Sequence, residues 1–309
     1  MNSQELVVVT SRSFSKHPIL RRRLQEKFSQ VRFNEKGIEL TGKLLIDFLQ
    51  GARRAIIGLE IINEEILSYL PNLKVICKMG TGIDKIDIQA LQRRQIAFTH
   101  TPGINHRSVS ELVLGMIFVL MRHLPQVNTS ICQGKWLQPK GRLLSEKTVG
   151  IIGFGSVGRD LSKLLSIFNC KCLIYDVQQH HELMPHVLQV NLNTLLVESD
   201  IISIHIPLLP ENFHFIGSNE FTKMKKGSIF INTARGGLVD EQSLYEALVS
   251  DHLSAAALDV FENEPIISKN LLSLENFFAT SHIGGSTDEA IEAMGMMAIN
   301  NLEKWKYRK

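Results

Sequence analysis

The chain has 309 residues, 44% of them hydrophobic and 21% charged, a composition typical of a globular protein with about two domains. Its 34 lysines and arginines nearly balance its 31 aspartates and glutamates, and the net charge of +3 excludes a strongly basic nucleic-acid-binding or membrane-binding class. No stretch approaches the roughly 20 apolar residues that span a bilayer, and the polar start lacks a signal-peptide pattern. The four cysteines show no metal or redox spacing, so we expect a cytoplasmic protein.

Short apolar strands alternate with helical patterns at the start of the chain, which predicts a parallel sheet flanked by helices. The predicted strands are Leu6–Val9, Val31–Phe33, Ala55–Gly58, Lys74–Cys77 and Ile96–Phe98. The loop Lys78–Asp84 follows the fourth strand, and its two glycines expose amide groups at the carboxyl end of the sheet, where ligands bind. With a positive charge from Lys78, this loop is a candidate site for a carboxylate or a phosphate. The alternative is a turn that only requires two glycines.

A domain crossing is predicted at Thr101–Gly103, after the fifth strand. A long helix follows, from about Ser108 to Arg122, and its apolar positions cover too much of its circumference for an exposed helix. A polar segment, Gln133–Lys147, then leads to the most informative stretch of the chain.

The stretch Thr148–Arg159 has the G-x-G-x-x-G spacing of a dinucleotide-binding loop, placed between an apolar strand and a helical pattern. Gly153 permits a tight turn, Gly155 permits close approach of the backbone to a pyrophosphate, and Gly158 permits close helix packing. The next strand ends at Asp176, an acid that suits the ribose hydroxyls of NAD and would repel the extra phosphate of NADP. We therefore predict NAD binding. A glycine-rich turn in an ordinary α/β protein is the alternative.

Three histidines follow in a polar segment, at positions 180, 181 and 186, but their spacing is not that of a metal site, and no metal is predicted. The pattern of strands and helices continues to the end of the chain. Further predicted elements are the strands Ile201–Ile204, Ser228–Ile231 and Phe277–Ala279, the apolar run Ala255–Asp259, and a closing helix over Thr287–Trp305.

Arg235, Glu264 and His282 each follow an apolar run of this second half. Parallel strands bring their carboxyl ends to one edge, so the three side chains can converge beside the nicotinamide end of a dinucleotide. An arginine fork suits a substrate carboxylate, and a histidine exchanges a proton with a hydroxyl or carbonyl oxygen. A nearby carboxylate would hold the histidine's tautomer and favour its charged form. Each residue alone has an ordinary structural explanation, but together they predict hydride transfer between NAD and a hydroxy acid.

The sequence around these residues resembles the D-isomer-specific 2-hydroxyacid dehydrogenase family over nearly the whole chain. The strings that carry the resemblance are Thr233–Asp240, Ala257–Pro265 and Ser281–Thr287. Within the family, three strings are most similar to D-3-phosphoglycerate dehydrogenases: Met79–Asp84, His205–Pro210 and His282–Thr287. The resemblance implies two Rossmann-like or flavodoxin-like parallel-sheet domains with an active-site cleft between them. It further implies a discontinuous substrate-binding domain, 1–101 with 283–309, and a dinucleotide-binding domain, 102–282.

The resemblance also implies roles for individual residues. Arg235 would bind the substrate carboxylate and the reacting oxygen, and His282 would be the acid–base group, paired with Glu264. Contacts with NAD are expected from Gly153, Gly155, Ser156, Val157, Gly158, Asp176, His205, Pro207, Thr233, Ala234, Asp259 (at the carboxamide) and Gly284. Contacts with substrate are expected from Lys78, Gly80, Thr81 and Gly82. The nucleotide domain would form a homodimer.

Lys78 stands where the phosphoglycerate enzymes usually have an arginine, so the charge is kept but the bidentate fork is lost. The first expectation is oxidation of D-3-phosphoglycerate to 3-phosphohydroxypyruvate with NAD, in serine biosynthesis. Reduction of glyoxylate or hydroxypyruvate is the alternative within the family. An NAD-sensing, corepressor-like binding protein is the alternative of another class, and the complete set of Arg235, Glu264 and His282 weighs against it. Arg107 either contacts an anion or faces solvent.

Overall fold

The computed structural model describes residues 5–305. The chain divides into two compact units, Met1–Asn105 with Gly285–Lys309, and His106–Gly284. These bounds lie a few residues from the domain bounds expected from the sequence. Residues 1–4 and 306–309, which the prediction assigned to the first domain, lie outside the described residues.

The first unit opens with a parallel sheet and its flanking helices, as the alternating pattern predicts. Its elements are β1 (Val7–Val9), α1 (Arg12–Lys16), α2 (Pro18–Lys27), β2 (Val31–Phe33), α3 (Gly42–Leu49), β3 (Arg54–Ile57), α4 (Glu64–Ser68), β4 (Val75–Lys78), α5 (Ile88–Arg93) and β5 (Ala97–Thr99). The strands lie in the order β2-β1-β3-β4-β5, and every pairing is parallel.

The central strands of this sheet are buried on both faces, which explains their largely apolar runs. Val7, Val8 and Val9 have no exposed surface, and alternate side chains point into different layers. Val8 packs in the layer that contains Leu45 of α3, whereas Val7 and Val9 pack in the layer that contains Leu20 of α2. The sheet therefore separates two apolar layers, each covered by helices.

The second unit has a larger sheet. Its elements are α6 (His106–Met121), α7 (Leu124–Cys132), β6 (Thr148–Ile152), α8 (Ser156–Ser166), β7 (Lys171–Tyr175), β8 (Val187–Gln189), α9 (Leu192–Glu198), β9 (Ile201–Ile204), α10 (Ser218–Lys223), β10 (Ser228–Asn232), α11 (Glu241–Val249), β11 (Leu253–Leu258), α12 (Lys269–Leu272) and β12 (Phe277–Ala279). The strands lie in the order β12-β11-β10-β9-β6-β7-β8, and all are parallel.

The strand order of the second unit reverses between β6 and β9. From β6 the chain builds outward through β7 and β8, and it then returns to place β9 on the other side of β6. The loops that leave β6 and β9 at their carboxyl ends therefore diverge, and the crevice between them is where open α/β sheets bind their ligands.

The long apolar helix predicted over Ser108–Arg122 is α6, and it is a core helix. Val113, Met116 and Ile117 are at most 1% exposed and pack in the same apolar layer as Leu161 of α8. Among residues 5–305, no single helix is long and apolar enough to cross a bilayer. Only α6 and α7 taken together reach the required length and composition, and they are bent by 61°.

The closing helix, α13 (Asp288–Lys304), belongs to the first unit. The Thr287 hydroxyl caps it by accepting a hydrogen bond from the amide of Ala290 (3.2 Å). It packs closely on α2. A Cβ at Gly295 would lie only 2.2 Å from Leu20 Cδ1, so the close packing requires glycine at this position. The Arg54 guanidinium also donates to the carbonyl of Leu302 near its end (2.8 Å). The first unit is therefore discontinuous in sequence.

Candidate active site

The structure explains the presence of glycine at three positions after β6, and the physical reason differs at each position. Gly153 has a φ of +94°, and a Cβ there would lie 2.7 Å from the carbonyl oxygen of His205, so the turn requires glycine. A Cβ at Gly158 would lie 2.2 Å from the carbonyl oxygen of Gly153, so only glycine permits α8 to approach the loop this closely. A Cβ at Gly155 would meet no protein atom within 4 Å. The open space at Gly155, at the start of an 11-residue helix, fits a dinucleotide pyrophosphate.

Gly155→Ala is expected to weaken NAD binding about tenfold or more, because its methyl group fills the space of the pyrophosphate. The melting temperature of the ligand-free protein should stay unchanged, since no protein atom is displaced. Calorimetric titration with NAD and a thermal melt measure both quantities. Gly115→Ala is the matched control, because its Cβ also meets no atom within 4 Å but lies within α6. A Gly155→Ala protein that binds NAD as tightly as wild type would contradict this account of the loop.

Asp176 follows β7 at the carboxyl edge of the sheet. Its two carboxylate oxygens accept hydrogen bonds from the amides of Phe154 (2.7 Å) and Gln178 (2.8 Å). Burial alone would raise the pKa of Asp176. The two amides and the nearby His180 lower this pKa by a larger amount, so the net pKa lies below its ordinary value. The ionised carboxylate lies beside the glycine loop, where it can accept hydrogen bonds from ribose hydroxyls.

His205 and Pro207 follow β9, on the other side of the strand reversal. The amide of His205 donates to the carbonyl of Ile152 (2.6 Å), and its Nε2 lies 2.9 Å from the Ser203 hydroxyl. Burial lowers the pKa of His205 to about 4, so its imidazole is neutral at neutral pH. His205 therefore lines the crevice as a neutral group.

The three expected catalytic residues follow adjacent strands. Asn232, Leu258 and Ala279 lie side by side at the ends of β10, β11 and β12. Arg235, Glu264 and His282 each leave the same edge of the sheet within a few residues of these ends. The loops of Arg235 and Glu264 also touch.

The imidazole of His282 pairs with Glu264. The distance from Nδ1 to Glu264 Oε2 is 2.9 Å, and the two side chains are 29% and 27% exposed. The second carboxylate oxygen accepts a hydrogen bond from the amide of Phe261 (3.2 Å), which orients Glu264. This arrangement holds the proton on Nδ1 and leaves Nε2 as the atom that can exchange a proton with a substrate.

Asp259 holds the turn that carries His282. It has no exposed surface, and its carboxylate accepts hydrogen bonds from the Thr280 hydroxyl (2.6 Å) and from the amides of Ile283 and Gly284 (2.8 Å each). Its backbone carbonyl accepts the amide of His282 (2.8 Å), whose φ is +57°. The sequence motif suggested a contact with the nicotinamide carboxamide, whereas the geometry adds a positioning role that the motif does not reveal.

The Arg235 loop is fixed by Asn232, which the sequence analysis did not single out. The Asn232 side chain donates to the carbonyl of Arg235 (2.8 Å) and accepts the amide of Ala234 (2.9 Å). Arg235 Nη1 donates to the carbonyl of Ala234 (2.6 Å). The Thr233 hydroxyl is buried and has no hydrogen-bond partner among the described residues, which fits a polar contact with a bound dinucleotide.

The expected substrate residues Lys78, Gly80, Thr81 and Gly82 lie in the first unit, after β4. Lys78 is only 8% exposed, and its ammonium group donates to the backbone carbonyl of Gly58. Gly80 has a φ of +132°, which favours glycine. Gly80, Thr81 and Gly82 are half-buried. Arg107, in the second unit, donates to Asp160 (2.8 Å) and is half exposed.

Comparison with known proteins identifies the fold. Residues 114–284 match the family model described as D-isomer specific 2-hydroxyacid dehydrogenase, NAD binding domain. The chain belongs to this family. The 2-hydroxyacid dehydrogenase is 41% identical to a hydroxypyruvate reductase of Thermotoga maritima, over 79% of this chain and 81% of that protein. It is 37% identical to a D-3-phosphoglycerate dehydrogenase of Methanocaldococcus jannaschii, over 79% of this chain and 47% of that protein.

A solved structure has the same fold. The D-isomer specific 2-hydroxyacid dehydrogenase of a Polaromonas species superimposes with a TM-score of 0.89 at 29% identity, over 97% of this chain and 95% of that chain. The chain is therefore an NAD-dependent D-2-hydroxyacid dehydrogenase with two parallel-sheet α/β domains. The expected enzyme class, cofactor and fold are confirmed. The alternative of a protein that only senses NAD is not needed to explain any residue of the site.

The histidine-rich segment after β7 makes contacts with α8 and with Asp176. Among the described residues, no group of three or more His, Cys, Asp or Glu side chains is arranged to hold a metal ion. His186 Nε2 lies 2.9 Å from the carbonyl of Ser162, as a structural histidine does. His180 Nε2 lies 3.6 Å from Asp176 Oδ2.

Proposed function

We propose that this 2-hydroxyacid dehydrogenase reduces a small unphosphorylated 2-oxo acid, hydroxypyruvate or glyoxylate, with NADH. The observation that carries this choice is the position of Lys78, the one lysine expected to recognise a substrate phosphate. Its ammonium is buried and donates to the Gly58 carbonyl. A buried cation with a backbone partner offers less to a phosphate than an exposed arginine fork.

The proposed chemistry uses the loops after β10, β11 and β12. Arg235 binds the substrate carboxylate and orients the carbonyl oxygen. When bound, NADH would supply the hydride that reduces the carbonyl carbon. His282 Nε2 gives a proton to the carbonyl oxygen, so that the product is a 2-hydroxy acid. Glu264 holds the imidazole tautomer and stabilises its charged form before transfer.

Oxidation of D-3-phosphoglycerate, in serine biosynthesis, is the second candidate. It is favoured by the half-buried loop Gly80–Gly82, which begins next to Lys78: a Cβ at Gly80 would lie 4.0 Å from Lys78 Cε. Backbone amides of such a loop can bind an anion even without an arginine. The two candidates differ in whether the phosphate increases kcat/KM.

Measurement of kcat/KM distinguishes the two candidate functions. The substrates are hydroxypyruvate, glyoxylate and 3-phosphohydroxypyruvate, each with NADH. We expect the unphosphorylated acids to have the higher kcat/KM, and Lys78→Gln to change kcat/KM for all three acids by the same factor. Lys43→Gln is the control, because Lys43 is an 84% exposed lysine of the same unit. A tenfold preference for the phosphorylated acid, lost selectively in Lys78→Gln, would favour phosphoglycerate instead.

We further propose that the enzyme is a homodimer that associates through α7 and the segment that follows it. No side chain of α7 is buried. Trp136 is 82% exposed and Leu143 72% exposed, and such an apolar surface is typical of an interface.

Trp136→Glu with Leu143→Glu is expected to give a monomer in light scattering. Ile167→Glu, at a 76% exposed position elsewhere in the unit, should remain a dimer. A wild-type monomer would refute the proposal.

A further inference from the structure

Two loops that carry proposed reacting residues are bonded to each other by a pair of glutamates. The loop that begins at Arg235 runs to Glu241, the first residue of α11, and the loop after β11 carries Glu262 and Glu264. The backbones of the two loops lie close together, because a Cβ at Gly236 would lie 2.4 Å from the amide nitrogen of Glu262. The proposed reaction uses neither Glu241 nor Glu262.

Glu241 and Glu262 make reciprocal hydrogen bonds between the two loops. The Glu241 carboxylate accepts the amide of Glu262 (2.8 Å), and the Glu262 carboxylate accepts the amide of Glu241 (3.2 Å). Each side chain therefore bonds the backbone of the opposite loop, and the two bonds together set the separation of the loops. Because Glu262 lies on the same short loop as Glu264, the pair limits the movement of Glu264 relative to Arg235.

His214 bonds both loops from a third segment of the chain. Its Nε2 lies 3.0 Å from Glu262 Oε1, the oxygen that also accepts the Glu241 amide. Its own amide donates to the carbonyl of Gly237 (2.8 Å), in the loop of Arg235. The backbone of His214 has a φ of +54°, a conformation that is uncommon for residues other than glycine. This backbone conformation is retained where it supports bonds to both loops.

Two neighbouring carboxylates are an unfavourable way to join loops if stability alone is required. Burial raises the pKa of Glu241 and outweighs the Glu262 amide and the His214 imidazole, which lower it. The Glu262 carboxylate raises this pKa as well, and the net pKa lies above its ordinary value. Apolar packing would join the loops without this electrostatic penalty. A bonded polar network instead fixes one arrangement of its members, which favours a role in positioning.

The position of Glu264 depends on its loop, whereas Arg235 is held separately. One Glu264 oxygen lies 2.9 Å from Nδ1 of His282, and the other accepts an amide of its own loop (3.2 Å). A shift of this loop therefore moves Glu264 away from His282. The carbonyl of Arg235 is held by the Asn232 side chain (2.8 Å), which lies on β10. Loss of the contact between the loops should thus affect proton transfer more than carboxylate binding.

We propose that His214 and Glu262 are positioning residues for the proton transfer and act through Glu264 on His282. They hold the loop of Glu264 against the loop of Arg235. The His282 imidazole then keeps the orientation that leaves Nε2 available to the substrate. The inference rests on the proposed reaction, and it applies equally to both candidate substrates.

Glu262→Ala is expected to lower kcat about tenfold, because His282 loses its fixed orientation, while KM for the oxo acid and Kd for NADH change less than about threefold. Glu262→Gln keeps an acceptor oxygen for both hydrogen bonds and should restore kcat to within about threefold of wild type. His214→Asn tolerates the positive φ but lacks Nε2, so it should behave like Glu262→Ala. Glu246→Ala, at an exposed acid of α11, is the matched control and should keep wild-type kcat.

The assay uses whichever of hydroxypyruvate, glyoxylate and 3-phosphohydroxypyruvate the wild-type enzyme reduces with the highest kcat/KM. Rates are divided by the concentration of NADH-binding sites, so that unfolded protein does not contribute. Each kinetic variant is also made in a Glu264→Ala background, where the carboxylate to be positioned is already absent. There, Glu262→Ala should lower kcat by less than about twofold more.

A second full tenfold loss of kcat in the Glu264→Ala background would overturn the inference, because Glu262 would then act independently of Glu264. Wild-type kcat in Glu262→Ala, or a loss that Glu262→Gln does not restore, would also overturn it. A rise of KM and of the NADH Kd in proportion to the loss of kcat would assign the two residues to general loop structure. A wild-type enzyme that binds NADH but reduces none of the three acids would contradict the proposed reaction, and the inference with it.

Discussion

His282→Asn is expected to lower kcat for hydroxypyruvate by about a hundred- to ten-thousand-fold, while NADH affinity stays the same. Asparagine is the appropriate replacement because His282 has a φ of +57°, a conformation that asparagine tolerates. It also retains a polar side chain beside Glu264 but cannot deliver a proton at the position of Nε2. Stopped-flow or steady-state loss of reduced-nicotinamide absorbance measures the rate, and fluorescence titration measures NADH binding.

Two further variants make this result specific to the His282–Glu264 pair. Glu264→Gln should lower kcat by more than about tenfold, because the amide cannot stabilise the charged imidazole. His252→Asn is the control, since His252 precedes β11 at the opposite edge of the sheet and bonds the carbonyl of Met224 (2.9 Å). A His282→Asn enzyme that keeps wild-type kcat would remove His282 from the mechanism, and equal loss in the His252 variant would point to folding.

Gly236→Ala is expected to destabilise the enzyme by about 3 kcal/mol and to lower activity more than about a hundredfold. A Cβ on Gly236 would lie 1.9 Å from the carbonyl carbon of Phe261 and 2.4 Å from the amide nitrogen of Glu262. Both are backbone atoms, so the loops must separate. Because Arg235 and Glu264 lie on these two loops, the displacement reaches both sides of the proposed reaction site.

The Gly236 prediction is checked by chemical denaturation and by hydroxypyruvate reduction with the same preparation. Gly115→Ala again provides the control, and we expect it to be neutral or to stabilise α6 by up to about 1 kcal/mol. Wild-type stability and activity in Gly236→Ala would show that the two loops do not need their close contact.

Much of the fold was predictable because parallel strands buried on both faces appear as unbroken apolar runs. The runs at β1, β3, β6, β9 and β10 each correspond to a predicted strand. β8 was missed, since Leu188 within it is 52% exposed and its sequence, Val187–Gln189, has no buried apolar run. α7 was missed because none of its side chains is buried, so it carries no periodic apolar stripe.

The candidate site was predictable where spacing or position after a strand reveals a role. Gly153 and Asp176 follow from the dinucleotide motif, and Arg235 and His282 follow from their places after strands. The supporting contacts were not predictable, because they join residues that are distant in sequence. The bond of Ser108 to the Gly284 carbonyl (2.6 Å) and the contact of Gly236 with Phe261 depend on how helices and loops pack.

The most direct test of the proposed function is the reaction of the purified enzyme with hydroxypyruvate and NADH, with the configuration of the glycerate product determined. We predict loss of reduced-nicotinamide absorbance in a one-to-one ratio with the formation of D-glycerate. An enzyme that binds NADH but consumes none with hydroxypyruvate or glyoxylate, or that forms L-glycerate, would contradict the proposed function.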